Sequence, residues 1–377
     1  MTDRKKLGIY IHIPFCLRKC FYCDFCSFSD TDGELVSKYC EELCRRIKEK
    51  AQDCHEYTVD TVYFGGGTPT LLPIGEFYKL FVTLKENFYI EKGAEITVEC
   101  NPATADRAYF EELLALGANR LSIGLQSANE NELSSLGRVY GFDDFLVAFS
   151  DARAAGFENI SVDLMYGIPD QTRESFEYSI DKVLCLKPEH ISSYGLKIED
   201  NTVFAKIKDN LVLPNEDEEF LLYKILTDKL AQNGYHKYEI SNFSLDGYES
   251  RHNMRYWLGE EYIGFGVAAY SFFDGERYGN SRDIKAFIAG KDITEERRRL
   301  SVHESDEEYV MLRLRLACGI SETEFEEKFG ERFTQRYPYV DLMLKEGFMQ
   351  RRDDRVSFTD KGFFVSNYIL SEILDLE

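Results

Sequence analysis

The sequence predicts an α/β fold, a six-stranded partial (β/α)6 barrel, followed by a smaller α+β domain. Two observations predict the barrel. Six apolar, strand-like segments alternate with segments that carry apolar residues at helical spacing, and cysteine, glycine or polar residues stand near the end of each strand-like segment. Parallel α/β folds build their sites at the carboxyl ends of the strands. A third observation, short helices followed by a hairpin after residue 300, predicts a winged-helix-like last domain.

The barrel elements follow one another along residues 1–240, with right-handed crossovers between parallel strands. Six strands make a TIM-like but partial barrel, whose open side would admit a substrate larger than a cofactor. The predicted strands are 7–14, 59–64, 95–99, 120–125, 160–164 and 190–196, with 238–240 as a candidate further strand. The predicted helices are 33–52, 74–88, 107–116, 130–136, 142–155, 173–186 and 217–232.

Two further segments complete the chain. The alternation of strand-like and helical segments becomes irregular over residues 241–300, which we interpret as a connecting region. Residues 301–377 form the predicted winged-helix-like domain. Its predicted elements are helices at 306–316, 325–329 and 337–346, a hairpin of 348–350 with 355–358, and a helix at 362–374.

Composition and charge describe the class of protein. Of 377 residues, 44% are hydrophobic and 30% charged, as in globular proteins. Neither a charged-then-apolar leader nor an uncharged apolar run of membrane length is visible. Ten cysteines without a secretion signal predict a location in the reducing cytoplasm, where thiols are free to bind metal. The net charge of −22 argues against a broad nucleic-acid surface. From Leu300 onward ten Lys and Arg face seventeen Asp and Glu, which disfavours DNA binding by the last domain.

Cys16, Cys20 and Cys23 form a C-x3-C-x2-C motif directly after the first predicted strand. Thiolate triples suit an iron–sulfur cluster or a structural zinc. Four cysteines would saturate a [4Fe–4S] cluster, whereas three leave one iron open for chemistry. Two alternatives stay open on the residues alone: a zinc site, and Cys26 as a fourth ligand that closes the open iron.

Several residues at strand ends are candidates for binding a ligand of that iron. Gly65, Gly66 and Gly67 follow the second strand, where bare backbone offers its N–H and C=O groups, although glycine triplets also occur in plain tight turns. Glu99 has the acceptors to bind ribose hydroxyls, and Arg138 has the planar fork to pair with a carboxylate. Each remaining candidate has an ordinary surface or core role as its alternative: Tyr22, Gln126 and Asp163.

His252 lies beside aromatic residues in the segment His252-Asn253-Met254-Arg255-Tyr256-Trp257. A histidine in such a place is either hydrogen-bonded in a structural corner or an axial ligand to a heme iron, with the aromatic rings against the macrocycle. The residues alone favour the structural role.

The cysteine motif resembles that of the radical S-adenosylmethionine (radical SAM) superfamily. The resemblance narrows to the oxygen-independent coproporphyrinogen III oxidase family. It rests on four segments: Tyr10-Ile11-His12-Ile13-Pro14-Phe15-Cys16, Gly65-Gly66-Gly67-Thr68-Pro69, Gly124-Leu125-Gln126-Ser127 and Asp163-Leu164-Met165-Tyr166-Gly167-Ile168-Pro169. In such enzymes the amino and carboxylate groups of S-adenosylmethionine (SAM) bind the open iron, and an electron from the cluster produces a 5'-deoxyadenosyl radical.

Within that family the chain is most similar to the heme-chaperone branch, HemW. Only fifteen residues precede Cys16, Phe25 stands where the oxidase has a further cysteine, and the segment from His252 to Trp257 matches an HNxxYW heme motif. The resemblance therefore makes His252 a heme ligand. It places Cys16, Cys20 and Cys23 on the cluster and lines the SAM site with a set of family positions: Tyr10, Gly66, Gly67, Thr68, Glu99, Gln126, Arg138 and Asp163. Tyr22, directly before the third cysteine, is a further candidate, whose ring could pack on adenine.

Three functions are thus in competition. The leading one is a heme chaperone, a monomer or dimer, that binds a [4Fe–4S] cluster, SAM and heme and delivers heme to an acceptor such as a respiratory hemoprotein, with no more than transient membrane association. The second is an enzyme that decarboxylates coproporphyrinogen III or acts on another tetrapyrrole. The third is a scaffold whose last domain recruits a protein partner.

Overall fold

The structure is a computed structural model that describes residues 4–29 and 32–374. Strands and helices alternate through the first 200 residues, as the sequence predicts. The strands are β1 (Lys5–Ile13), β2 (Tyr57–Gly66), β3 (Ile90–Cys100), β4 (Arg120–Gln126), β5 (Ile160–Tyr166), β6 (His190–Gly195), β7 (His236–Lys237), β8 (Asn242–Ser244), β9 (Tyr262–Phe265), β10 (Tyr270–Phe273), β11 (Glu276–Asn280), β12 (Thr294–Arg299), β13 (Ile320–Ser321), β14 (Met349–Arg352) and β15 (Arg355–Phe358).

The helices that connect and cover these strands are mostly short. They are α1 (Gly33–Ala51), α2 (Ile74–Asn87), α3 (Arg107–Leu116), α4 (Glu130–Ser135), α5 (Phe142–Ala155), α6 (Arg173–Leu186), α7 (Val203–Lys206), α8 (Glu216–Gln232), α9 (Arg251–Trp257), α10 (Ile284–Ile288), α11 (Val302–Arg313), α12 (Glu322–Phe329), α13 (Phe333–Arg336), α14 (Tyr339–Lys345), α15 (Asp360–Phe364) and α16 (Ser366–Leu374).

The chain packs into two compact units. The first contains the chain up to Asn215 together with Glu260–Arg299, and the second contains Glu216–Gly259 together with the chain from Leu300. The two units meet along the chain at residues 215/216, 259/260 and 299/300. Within the second unit, α8 contacts β7 and α15.

The first unit contains the predicted parallel sheet. Strands β1 to β6 are neighbours in chain order, and every pair is parallel. On the other side of β1, β9 adds a parallel strand, and β10, β11 and β12 continue the sheet antiparallel. The prediction of six parallel strands in a partial barrel with covering helices is confirmed, whereas the strands of residues 262–299 are not in the sequence interpretation.

Alternation along the parallel strands separates an apolar side from a polar one. Val98, Ile123, Val162 and Ile191 are fully or almost fully buried, as are apolar residues of the covering helices such as Phe110. Burial of each such side chain contributes roughly 1.5–3 kcal/mol. The residues between them in sequence, on the opposite face of each strand, are mostly polar. The polar face of this sheet carries the candidate site.

The second unit has a small antiparallel sheet, β13-β15-β14, among short helices. This agrees with the predicted α+β domain that includes a hairpin. Two predicted elements are wrong. Residues 238–240 connect the antiparallel strands β7 and β8, since Tyr238 N–H donates to Asn242 O at 3.2 Å across a turn. The last helix is interrupted at Val365, whose φ of −103° and ψ of 22° end α15.

Within residues 4–29 and 32–374, none of the helices has the length and apolarity that crossing a bilayer requires.

Candidate functional site

The cysteine loop folds back on itself directly after β1. Cys16 N–H donates to Phe28 O at 3.0 Å, which closes the loop, and Cys23 N–H donates to Cys20 O at 3.2 Å. All three thiols of the motif are half-buried and outside any disulfide. Burial raises the pKa of Cys16 and of Cys23, and the neighbouring thiols of the motif raise it further. The loop thus gathers three thiols that repel one another as thiolates, an arrangement that a bound cation relieves.

Cys26 lies on the other side of this loop. Its thiol is buried and directed at Arg282 O at 4.0 Å, and its backbone oxygen bonds His12 Nε2 at 2.8 Å. Arg282 in turn pairs with Asp24 at 3.2 Å. Cys26 therefore has its own surroundings, which favours a site of three thiols. In the described part of the chain, no three His, Cys, Asp or Glu side chains are grouped as they would be around a single metal ion.

The glycine segment after β2 is attached to the cysteine loop through backbone hydrogen bonds. Gly67 N–H donates to Ile13 O at 2.8 Å, and Thr68 N–H donates to Phe15 O at 2.7 Å. Thr68 Oγ1 lies 3.7 Å from Cys16 Sγ. Gly66 has a φ of +112°, and a β-carbon there would overlap the His12 imidazole. This position therefore requires glycine, both for its backbone conformation and for the space it leaves.

Glu99 ends β3 beside this segment. Its Oε1 accepts a hydrogen bond from Tyr63 at 2.9 Å, and its Oε2 accepts one from Gly66 N–H at 3.1 Å. Burial and, to a smaller extent, the Asp163 carboxylate raise the pKa of Glu99 to about 7, against the lowering effect of its hydrogen bonds and of the Arg120 charge. A carboxyl group that changes charge near neutrality is a frequent property of binding sites.

Tyr10 lies on β1, two strands from Glu99. Its hydroxyl lies 3.0 Å from His12 Nδ1, and its ring stacks on that of Tyr63 with 6.2 Å between centroids. The structure thus connects Tyr10 to Glu99 through Tyr63.

Gln126 is the last residue of β4, and Asp163 lies in the middle of β5. Gln126 is buried in the left-handed conformation, with a φ of +74°, and its Oε1 accepts a hydrogen bond from Tyr194 at 2.9 Å. Asp163 Oδ1 accepts one from Ser122 at 3.2 Å. Burial raises the pKa of Asp163, while hydrogen bonds from Ser192 and Ser122 and the charges of Arg120 and Arg138 lower it. Gln126 is a non-glycine residue at positive φ, and such a strained backbone conformation often accompanies function.

Arg138 joins the cysteine loop to the strand ends. Its Nη1 donates to Asn101 Oδ1 at 3.2 Å, and its Nη2 donates to Tyr22 at 2.7 Å. The guanidinium also lies over the rings of Tyr22 and Tyr140, and burial raises the pKa of Tyr22. Its buried Nε has no hydrogen-bond partner. One donor of this guanidinium therefore remains for a ligand.

The structure brings the predicted residues of the barrel together and adds some that sequence reasoning missed. Tyr63 and Asn101 bond to predicted site residues, and Arg120 influences two of them electrostatically. The missed signal is the repeated occurrence of a polar residue at alternate positions of β4, β5 and β6, for example Arg120, Ser122 and Gln126 in β4. Strands buried on both faces of an α/β fold usually lack such residues.

His252 belongs to the second unit and lies in α9, which begins after the N-cap Ser250. Its side chain is fully buried. Its Nε2 lies 2.8 Å from the Tyr256 hydroxyl, one helical turn on, and the two rings meet edge to face. The histidine and the aromatic residue of the motif are thus in direct contact with each other.

Comparisons with known proteins agree with this geometry. The profile of the radical SAM superfamily matches residues 10–183, and that of the HemN C-terminal domain matches residues 300–365. Heme chaperone HemW of Lactococcus lactis subsp. lactis is 35% identical, over 98% of this chain and 98% of its own. HemW of Bacillus subtilis is 35% identical over 97% and 98%, and HemW of Escherichia coli is 32% identical over 99% and 100%.

This chain belongs to the HemW family. Its fold matches the solved structure of coproporphyrinogen III oxidase (HemN) from Escherichia coli, a radical SAM enzyme, with a TM-score of 0.84 over 99% of this chain and 91% of that one, at 24% identity. The resemblance read from the sequence is therefore confirmed at the level of family and fold.

Membership of the radical SAM superfamily implies a [4Fe–4S] cluster and SAM. The residues present in this HemW-family chain fit both groups. Three thiols outside any disulfide stand in one loop, and Arg138 Nε is a buried donor without a partner. Gly66 and Gly67 pack their backbone directly against His12 and the start of the cysteine loop, since a β-carbon on Gly67 would lie 2.7 Å from Phe15 O.

Proposed function

We propose that this HemW-family protein is a heme chaperone that binds a [4Fe–4S] cluster, SAM and heme, and passes heme to an acceptor hemoprotein. The observation that carries the proposal is identity of 30% or more, over nearly the full length of both chains, to several proteins named heme chaperone HemW. The polar strand ends and the three-thiol loop support it independently, because they supply donors for a cluster and for a polar cofactor.

The cluster is held by Cys16, Cys20 and Cys23 in this proposal. Half-buried thiols with raised pKa values bind iron by losing their protons, so cluster binding releases protons. A bound cluster supplies an iron with an open coordination position and an electron. Because Cys26 is directed at Arg282 O, the loop offers that iron no fourth thiol.

SAM occupies the adjoining strand ends in this proposal. Arg138 has the charge and a spare donor for the carboxylate, and Glu99 has the acceptors for ribose hydroxyls. The bare backbone of Gly66 and Gly67 and the buried Thr68 border the same space. The remaining contacts with the cofactor are assigned to Tyr10, Tyr22, Gln126 and Asp163.

Heme binds through His252 in this proposal, and the motif that extends to Trp257 supports the assignment. Neutral imidazole is a usual proximal ligand of heme iron. His252 is buried with Nε2 against the Tyr256 hydroxyl. Iron coordination through Nε2 therefore requires that this hydrogen bond open, which couples heme uptake to a rearrangement of α9.

Heme titration tests the proposal. Wild type, His252→Ala and a control, His303→Ala, are titrated anaerobically with heme, and the Soret band is recorded. His303 side chain is 75% exposed on α11, so its loss should leave the spectrum unchanged. Saturable binding by wild type and the control, with loss of the wild-type Soret position in His252→Ala, supports the assignment. A spectrum indifferent to His252 contradicts it.

The acceptor and the location follow from this function as further proposals. The chain would act in the cytoplasm and meet an acceptor such as a respiratory hemoprotein, with membrane association only during transfer. Incubation of heme-loaded protein with an apo-hemoprotein, followed by separation and pyridine hemochrome assay of each fraction, tests transfer. Equal heme gain by the acceptor from free heme and from the loaded protein would contradict a chaperone role.

A further inference from the structure

The polar face of the parallel strands contains a fully buried arginine. Arg120 is 1% exposed at the start of β4. It is paired in register with Thr97 of β3, while Ser122, two residues on, is paired with Glu99. Gly124 is paired with Asp163 of β5. Arg120 thus precedes by two residues the β4 position opposite Glu99, and by four residues the β4 position opposite Asp163. Two residues along a strand span about 7 Å.

Nothing in the packing accounts for a charge at this place. Arg120 Nε is buried without a hydrogen-bond partner, and so is Thr97 Oγ1. His190, which Arg120 also reaches electrostatically, is fully buried, bonds Ser161 Oγ at 2.7 Å and has its pKa lowered by burial, so it is neutral. Burial of an arginine is costly, and an apolar residue of similar size usually serves packing better.

The polar and charged side chains that act on the Glu99 carboxyl come from β2, β4 and β5. Tyr63 on β2 donates a hydrogen bond, Asp163 on β5 repels, and Arg120 on β4 attracts. Arg120 also attracts the Asp163 carboxyl, which receives hydrogen bonds from Ser122 and Ser192 and a second attraction from Arg138. Arg120 is thus the cation that acts on both carboxyl groups in the polar interior, whereas Arg138 acts on Asp163.

We propose that Arg120 is a positioning residue, whose buried guanidinium keeps the Glu99 and Asp163 carboxylates ionised together so that both can accept hydrogen bonds from SAM. This rests on the proposed function, in which those two carboxylates contact SAM. Arg120 itself does not touch SAM. Without its charge, the partly buried carboxylates of Glu99 on β3 and Asp163 on β5, the two strands that flank β4, repel each other, and one of them takes up a proton and ceases to be a full acceptor.

SAM binding as a function of pH tests the proposal. The reconstituted proteins are wild type, Arg120→Gln, Arg120→Lys, Glu99→Gln and a control, Arg153→Gln, whose half-buried guanidinium pairs with Glu189 at 2.8 Å. The dissociation constant of SAM is measured anaerobically from pH 6 to 9. The affinity of wild type for SAM should rise as Glu99 ionises. The affinity of Arg120→Gln for SAM should rise in the same way, but at a higher pH than in wild type. A shift of one pH unit weakens binding at pH 7 about fivefold. Arg120→Lys and Arg153→Gln keep the wild-type midpoint.

Glu99→Gln should bind SAM with little pH dependence, and adding Arg120→Gln to it should change the pH profile no further. An Arg120→Gln profile with the wild-type midpoint overturns the proposal, because a structural role alone does not move a titration. If Arg120→Gln fails to fold, the Glu99→Gln, Arg120→Gln double variant should recover folding. In the double variant Asp163 is the only one of the two carboxylates that remains without the Arg120 charge. A double variant as defective as the single one also overturns it.

A separate measurement distinguishes this proposal from the proposed function. Urea unfolding of the same reconstituted proteins across the pH range follows the Glu99 titration without SAM. If wild type binds no SAM but Arg120→Gln still moves that titration upward, the SAM assignment fails and the role of Arg120 stands. If wild type binds SAM and the titration does not move, the role of Arg120 fails alone.

Discussion

The backbone N–H of Gly66 donates a hydrogen bond of 3.1 Å to the carboxylate of Glu99. This bond joins the end of β2 to the end of β3, directly beside the segment that holds the cysteine loop through Gly67. The same glycine has a φ of +112° and lies against His12. One short segment therefore fixes the cysteine loop on one side and an acidic side chain on the other.

Gly66→Ala should disrupt both attachments. The positive φ disfavours a β-carbon, and the His12 ring occupies its space, so we expect a loss of about 3 kcal/mol in the free energy of unfolding. We also expect less iron bound after reconstitution. Urea unfolding and iron analysis measure the two effects. Gly75→Ala is the control: it lies in α2 with no atom within 4 Å of an added β-carbon, and it should be neutral or slightly stabilising. Equal stability of the two variants would contradict the prediction.

Glu99→Gln should stabilise the cofactor-free protein at alkaline pH. The pKa of Glu99 is about 7 in the folded state against 4.5 unfolded. A raised carboxyl pKa favours folding fully below pH 4.5, and this contribution is lost as pH rises through 7. Between pH 4.5 and 8 the loss amounts to about 3 kcal/mol, which the glutamine variant does not suffer. Urea unfolding at both pH values measures it. Glu111→Gln, at an exposed pair with Arg107, should show no such pH-dependent difference.

The sequence predicts elements best where local signals set their bounds. Three helices begin and end in the structure at the predicted residues: 107–116, 142–155 and 173–186. Asp106 caps the first of them, and Gly117 and Gly156, at positive φ, end the first two. Such caps are contained within a few residues of sequence, so they can be recognised without knowledge of tertiary contacts.

Elements that depend on distant partners are harder to predict. Strand β3 begins at Ile90 rather than at residue 95, because Ile90 pairs with Val59 across the sheet. Strand β9 forms because Tyr262 pairs with Gly8, more than 250 residues away. Pairing of this kind overrides local propensity, and no pattern within one strand reveals it.

Some residues of the candidate site can likewise be predicted from local sequence, whereas others depend on pairing between distant strands. Strand ends place Glu99 and Asp163 on one face, and both are found there. Their neighbours Arg120 and Tyr63 lie within predicted strands, and the sequence alone assigns no function to either of them. Their roles appear only from the register between strands, which sets Arg120 opposite Thr97 and two residues before the β4 position opposite Glu99.

Cys26→Ser should leave the cluster intact. The Cys26 thiol is buried with its Sγ 4.0 Å from Arg282 O, so serine should preserve iron and sulfide content. Cys20→Ser, which removes a proposed ligand from the same loop, should lose most of both. Iron and acid-labile sulfide per protein, after anaerobic reconstitution, measure the outcome. Cluster loss in Cys26→Ser would instead make Cys26 a ligand and close the open iron.

Tyr256→Phe should tighten heme binding. His252 Nε2 bonds the Tyr256 hydroxyl at 2.8 Å, and this bond must open before Nε2 can reach iron. A neutral hydrogen bond contributes about 1 kcal/mol, so its removal should lower the dissociation constant of heme about fivefold. The aromatic ring against the imidazole is retained. Anaerobic heme titration of the Soret band measures the change.

Two comparisons make the Tyr256 result decisive. Tyr368→Phe removes a hydroxyl from an exposed position of the same unit and should leave heme affinity unchanged. His252→Ala, combined with Tyr256→Phe, should cancel the gain, because the gain exists only when Nε2 becomes the iron ligand. Weaker heme binding in Tyr256→Phe would mean that the hydroxyl orients the histidine in the bound state rather than competing with the iron, and the opening of this bond would then not be a step of heme uptake.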